Sequence, residues 1–421
     1  MAFQDIRKKR KWLSAEETRI VLLALFLFAG LLALNIYLAR TLPGGEQFFL
    51  RWSGARAFLV EGIEPYGAEI ASRAQLVAYG RRAFSSEYPF ALNDPFHIVM
   101  LYVPLALFPD FAVARGVWML LSEMLLIALV HTLIRSLEWE PPRWLYLLLM
   151  VSGLFGYYSL MAVGAGSPAI PMTFLFLAIL YSLRSFADEL AGALLFLVAY
   201  QWEVSALFFL FTLVFIFANR RWRVLGGFGM SLVVLLAISF LVYPDWALPY
   251  VRGALTDWYR SANLTFGHVM SLCFPDARVS IGSWTAILLG VVLFLEWLGS
   301  VDAHFRRIVW TACLSLAITP LMGFAIFPSN HAVLLPSLIL IVMLVWERWR
   351  RRRVLYVLLI LLVSFAVPFW LYARLMAGYP KLYSDLLAVL PPVAAIVGLY
   401  WMRWWAVRSP RIWFDQIEDR K

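Results

Sequence analysis

The chain has 421 residues, of which 62% are hydrophobic and 15% charged, with a mean hydropathy of +0.77; an ordinary soluble domain carries about 25% charged residues. These values exclude a soluble globular enzyme and a disordered chain, and the repeated long apolar runs make it a polytopic integral membrane protein. The formal net charge of +10 does not point to nucleic acid, because Lys and Arg collect at the ends of the apolar runs, as the positive-inside rule expects.

The basic N-terminus, "MAFQDIRKKRKWLSAEETR", leads into an apolar run, Ile20–Ala39, about as long as a bilayer-spanning helix. No small-residue cleavage site follows, so it reads as a retained first span rather than a signal peptide. A polar connection of about 55 residues, Arg40–Asp94, comes next; ordinary connections have about 4–6 residues, and loops this long tend to be functional. Within it "RWSGARAFLVEG" alternates at helical spacing, with Trp52, Ala55, Phe58 and Leu59 on one side and Arg51, Ser53 and Arg56 on the other. "AEIASRAQLVAYGRRAF" is a second amphipathic stretch. Both are expected as helices lying on the outer membrane interface, with Glu46 at the start of the first.

The apolar stretches Phe90–Phe108, Val113–Ile134, Leu145–Val163, Ile170–Leu183 and Leu190–Asn219 supply up to five further crossings. "YQWE" interrupts the last of them, and Pro95, Pro104 and Pro168 break or bend others. Arg7–Lys11, Asn219–Arg223, His304–Arg307, Glu347–Arg353 and the tail after Arg403 are expected on the cytoplasmic side. The loops 243–282, 327–332 and 373–385 then face outward. The expected total is ten to thirteen spans in one membrane domain, 20–403, between a basic N-terminus (1–19) and a tail (404–421). Cys273 is placed in a loop and Cys313 in an apolar run, which argues against a structural disulfide. No metal-binding constellation, phosphate loop or dinucleotide fingerprint is present, and no cofactor is implied.

Three places put polar groups where the pattern asks for apolar ones. The first loop offers Glu46, Glu64 and Tyr66. "SSEYPFALNDPFH" holds Glu87, Tyr88, Asp94 and His97 where the chain re-enters the bilayer. Glu203, next to Gln201, lies inside a long apolar run, where a carboxylate costs roughly 2.5–3.5 kcal/mol on insertion scales and needs a partner or a wet cavity. "PSNH" adds Asn330 and His331 at a span end. Each also has a plainer reading: solvated loop carboxylates, interfacial Trp52 and Tyr66 anchors, a Glu203 that satisfies a neighbouring helix, and a His331 that ends one.

The order and spacing of several motifs resemble glycosyltransferase family 87, polytopic membrane enzymes of the GT-C class. They are "WSGARAFLVEGIEPYG", "YPF" followed by "VPLALFPDFAVARGVWMLL", "RRWRVLGGFGMSLVVLLAISFLVYPDW" and "TPLMGFAIFPSNHAVLL", spread over about 300 residues. The resemblance implies an all-α, GT-C-like bundle that transfers a sugar, a hexose such as mannose, from a polyprenyl-phosphate donor to a lipid or glycan acceptor. It also implies a bacterial plasma membrane, chemistry on its outer face, membrane lipids as surroundings and no nucleic-acid partner. Glu46 matches the family's first-loop acid, usually Asp, and takes the role of general base, with Trp52, Glu64, Tyr66, Glu87, Tyr88, Asp94, His97, Gln201, Glu203, Asn330 and His331 around the substrates. Many relatives carry Lys-Pro-Gln where this chain reads Gln201-Trp202-Glu203. A cation is lost there, which turns the donor phosphate toward Arg51 and Arg56, or else marks an altered donor or a relative without activity. A transporter or lipid flippase remains the alternative, since discontinuous helices near the midplane are typical of transporters.

Overall fold

In a bilayer every backbone polar group must be satisfied within the chain, and apolar runs achieve this as helices. The computed structural model describes residues 15–84, 87–273, 280–378 and 382–407, and these are helical throughout except for turns, extended connections and one bridge between Thr265 and Ala325. The basic segment 7–11, the tail after residue 407 and parts of the loops 243–282 and 373–385 lie outside the described residues.

The first apolar run forms α1 (Ala15–Thr41). The long loop then folds as two helices, α2 (Glu46–Arg56), which runs into a π-helical turn at Ala57–Glu61, and α3 (Ala68–Tyr79), which stops at Gly80. Pro95 and Pro104 confine the stretch 90–108 to two short helices, α4 (Phe96–Leu101) and α5 (Val103–Ala106), where its apolarity had suggested a span. Next come α6 (Phe111–Ser136), then α7 (Arg143–Phe155) and α8 (Tyr157–Ala165), bent by 42° about Gly156. The middle continues as α9 (Ala169–Arg184), α10 (Asp188–Val198), α11 (Trp202–Ala218) and α12 (Trp222–Val242). After it come α13 (Ala247–Arg260), α14 (Phe266–Cys273), α15 (Ser280–Leu298) and α16 (Phe305–Ile318). The chain closes with α17 (Leu335–Arg348), α18 (Arg353–Met376), α19 (Leu382–Trp401) and α20 (Arg403–Val407). Cys273 thus ends α14 rather than lying in a loop, and Cys313 is a buried free thiol in α16.

Among the described residues eight helices are long and apolar enough to cross a bilayer, or nine if the bent α7–α8 pair is one span. The expected ten to thirteen differ because α9 and α11 have 16 and 17 residues and α10 only 11. At about 1.5 Å rise per residue none of the three reaches the roughly 30 Å hydrocarbon thickness.

The charge clusters gather at one end of the bundle. Arg306 makes a two-pronged ion pair with Glu347 at 2.8 and 3.1 Å, and Arg403 another with Glu296 at 2.7 and 3.1 Å. Asn219 donates to the Val301 carbonyl, and His304 is bonded to that of Ala406. Arg221 pairs with Asp188, and Arg184 with Glu138. The first loop, the α10–α11 break and α13 lie at the opposite end. The main core between the ends is apolar and centres on the fully buried Trp310, Phe176, Phe208 and Phe211, with Trp310 donating to the Leu399 carbonyl.

α2 departs from the interfacial expectation. Phe48, Leu50, Trp52 and Ala55 are buried, but so are Arg51 and Ser53, because α4, α5 and α6 cover one side while Arg51 finds an acidic partner on the other. Only α3 behaves as a surface cover, resting Ile70 and Ala74 inward.

α10 and α12 pack backbone to backbone. A Cβ at Gly227 would stand 2.1 Å from the Glu189 carbonyl oxygen, a backbone atom that no rotamer change can move aside. Gly227→Val is therefore expected to destabilise the protein by about 3 kcal/mol, the upper end of overpacking effects, read as a lowered thermal transition in lipid nanodiscs. Because α10 leads directly to Tyr200 and Gln201, ligand binding at that end should weaken in parallel.

Candidate functional site

The end opposite the basic clusters holds a cavity of about 440 Å³. α2 contributes Glu46, Gln47, Leu50 and Arg51, and the extended segment after α3 adds Tyr88, Phe90, Asn93 and Asp94. The α10–α11 break supplies Tyr200, Gln201, Trp202 and Glu203, and α13 brings Tyr250, Asp257 and Trp258. The turns around residues 323–330 close the far wall with Phe324, Phe327, Ser329 and Asn330.

The placement of Glu46 begins with the "LPGGE" turn. Gly45 has φ +83°, a left-handed conformation that glycine adopts without strain. A Cβ there would stand 2.6 Å from Arg115 Nε. Arg115, buried in α6, donates to the carbonyls of Leu42 (2.9 Å), Pro43 (3.2 Å), Gly164 (3.0 Å) and Ala39 (3.3 Å). It ties the end of α1, the turn and the end of α8 together, and so sets the first residue of α2. Burial pushes the Glu46 carboxyl above the usual carboxylate range, against opposing pulls from its backbone N–H and Arg115.

Arg51 and Asp94 form a buried ion pair, Nε to Oδ2 at 2.7 Å and Nη2 to Oδ1 at 3.2 Å. Nη1 also donates to the Gln47 carbonyl at 3.0 Å. Tyr66 does not line the cavity; its hydroxyl donates to the Asp94 carbonyl at 2.9 Å and holds that segment in place. Gln47 donates to Ser329 across the cavity, and Ser167 donates to Asn330 behind it.

Of the residues singled out in the sequence, Glu46, Arg51, Tyr88, Asp94, Gln201, Glu203 and Asn330 come together at this cavity. The others do not face it. Arg56 donates to the Ala106 carbonyl at 3.1 Å, lies over Trp52 and approaches Glu61 at 3.7 Å, so it fastens α2 to the end of α5. Trp52 is buried among Phe49 and Phe111, its indole N–H on the Leu105 carbonyl. Glu64 is exposed beside Tyr243. Glu87 is held by both terminal nitrogens of Arg81 and by the Phe84 N–H, which bring its carboxyl down to about 2. His97 is buried with its ring stacked on Phe196 at 5.0 Å. His331 lies behind the wall, bonded to the Ala388 carbonyl at 2.7 Å.

The sequence reading missed Asp257, which is 4% exposed in the cavity wall and receives a 2.8 Å hydrogen bond from Asn93. Burial raises its carboxyl above the usual range, offset in part by Tyr88 and Asn93. It missed Arg115 as well. The four carboxylates Glu46, Asp94, Glu203 and Asp257 therefore share the cavity with one guanidinium, Arg51, among the described residues. No group of three or more His, Cys, Asp or Glu that could hold a metal ion is found among them. No family model matches the chain, and no curated protein or solved structure matches it either. The family-87 likeness thus rests on the motifs in the sequence.

Positive partial charge is also supplied by the backbone. α2 begins at Glu46 and α11 at Trp202, and both starting residues line the cavity. Helix N-termini favour anions through their dipoles and outward N–H groups. The cavity therefore pairs proton-accepting carboxylates with an anion-favouring backbone.

Proposed function

We propose that the protein is a GT-C-like membrane glycosyltransferase that moves a hexose from a polyprenyl-phosphate donor to a hydroxyl of a lipid or glycan acceptor. The observation that carries this reading is the position of Glu46, a half-buried carboxyl at the N-terminus of α2 in the wall of the cavity. A raised carboxyl is a stronger base once ionised, and general bases work best when they titrate near the working pH.

In the proposed reaction Glu46 takes the proton from the acceptor hydroxyl. The acceptor oxygen bonds to the anomeric carbon as the bond from that carbon to the phosphate oxygen breaks, and polyprenyl phosphate leaves with the electron pair. Arg51 and the helix N-termini hold the leaving phosphate, and alignment of the two substrates in a water-poor cleft supplies much of the remaining acceleration. The basic end of the bundle faces the cytoplasm of a bacterial plasma membrane and the cavity faces outward, as the distribution of Lys and Arg suggests.

The test uses purified protein in nanodiscs, radiolabelled polyprenyl-phosphate hexoses and a membrane-lipid extract as acceptor. Label appearing in a new lipid or glycan product supports the proposal. A well-folded protein that transfers label from none of the donors would sink it.

A further inference from the structure

The Asp257 carboxyl is built unlike that of Asp94 in the same cavity. Asp94 is neutralised by Arg51, whereas Asp257 faces no bonded cation among the described residues. Its Oδ2 accepts from Asn93 Nδ2 at 2.8 Å, which fixes the plane of the carboxyl group. The Tyr88 hydroxyl also interacts with the group, yet Oδ1 is fully buried and completes no hydrogen bond among the described residues. A buried acceptor without a donor is unfavourable, and a hydroxyl donor brought to the Asp257 end of the cavity would relieve it. Gln201, in the same wall, also has a buried side-chain oxygen without a partner. Trp258, next to Asp257, presents an indole in that wall.

We propose that Asp257 centres a hydroxyl-recognition subsite for a hexose ring, in which Oδ1 accepts from a ring hydroxyl, Gln201 meets a second hydroxyl and Trp258 covers an apolar face of the sugar. Rigid acceptors next to an aromatic surface suit a molecule that is polar at its edges and apolar on its faces. The choice of a hexose rests on the transferase reading, but the subsite is testable without turnover.

The experiment is equilibrium binding by saturation-transfer NMR on the full chain in nanodiscs, with methyl α-mannopyranoside and methyl α-glucopyranoside as hexose probes and butylamine as a cationic one. At least one hexoside is expected to bind wild type, and to bind Asp257→Asn at least tenfold more weakly. In that variant the amide oxygen turns to Asn93 and an N–H donor replaces the Oδ1 acceptor. Should Asp257→Asn fail to fold, deoxy-hexosides on wild type give the same reading, because a site shaped for a hydroxyl discriminates against the analogue lacking it; removal of one hydroxyl is expected to lower affinity at least tenfold. Equal hexoside affinity in wild type and variant would overturn the subsite. So would binding of butylamine alone in an Asp257-dependent manner, or no binding of any probe. Asp257-dependent hexoside binding without transfer would retire the transferase reading and keep the subsite; transfer with hexoside binding indifferent to Asp257 would do the reverse.

Discussion

Glu46→Gln is expected to lower sugar transfer by roughly a hundredfold to ten-thousandfold, the usual contribution of a positioned general base, while raising the thermal stability of the protein at neutral pH. Both effects have one cause. Burial favours the neutral form of this carboxyl in the folded state, so its folded pKa lies above its unfolded one. Its stabilising contribution is therefore fully present below the unfolded value and is lost as pH rises through the folded one. The base must be ionised to act, so the transfer rate rises with pH over the same window. Wild type should show rate and stability sloping in opposite directions as pH increases above the ordinary carboxylate range. Gln keeps the shape and removes the ionisation, so the stability slope should flatten. Glu203 and Asp257 are also raised by burial and leave a residual slope of the same sign. Melting curves and initial rates across pH 4–8 provide the check; a variant that transfers sugar at the wild-type rate would move the base elsewhere in the cavity.

Much of this site could be read from residue chemistry alone, and the failures have definite causes. The rule that marked Glu203, a charge inside an apolar run, applies equally to Arg115 in "AVARGVWM" and to Glu123 in "LLSEMLL". Arg115 anchors the Gly45 turn, and Glu123 accepts a 2.9 Å hydrogen bond from the buried Asn35 of α1. The apolar–polar alternation sets Arg56 on one side of the helix with Arg51, but five residues at about 100° each turn the two side chains roughly 140° apart. One therefore meets the cavity and the other the α5 carbonyls. Asp257 had no such signal, since "ALTDWYR" reads as an ordinary amphipathic stretch with a solvated acid. It is buried only because α13 folds back over Asn93, residues 164 positions earlier, and no local pattern encodes such a contact. The long apolar helices were legible because bilayer thickness sets their length. The shorter α9, α10 and α11 were legible as apolar stretches, with their break at "YQWE", but not as helices too short to cross, since packing inside the bundle rather than contact with lipid determines where they end.

Breaking the Arg51–Asp94 pair is the second change with a large expected effect. Both side chains are less than a tenth exposed, and removing one partner leaves the other charged and buried, which typically costs about 3–5 kcal/mol. Arg51→Met or Asp94→Leu alone should therefore lower the melting transition strongly. The double variant should recover most of that loss, because an apolar pair of similar volume escapes the desolvation of both charges. Function separates from stability at this point. A guanidinium has five N–H donors; Nη2 donates to Asp94 and Nη1 to the Gln47 carbonyl, and Nε lies against Asp94 Oδ2. Each terminal nitrogen keeps one further N–H, and Arg51 lines the cavity. If these hold the donor phosphate, the stable double variant should show KM for the polyprenyl-phosphate hexose raised at least tenfold, with acceptor KM little changed. Restored stability together with an unaltered donor KM would make the pair a purely structural fastening of α2 to the segment after α3, and would leave the helix N-termini as the phosphate's hold.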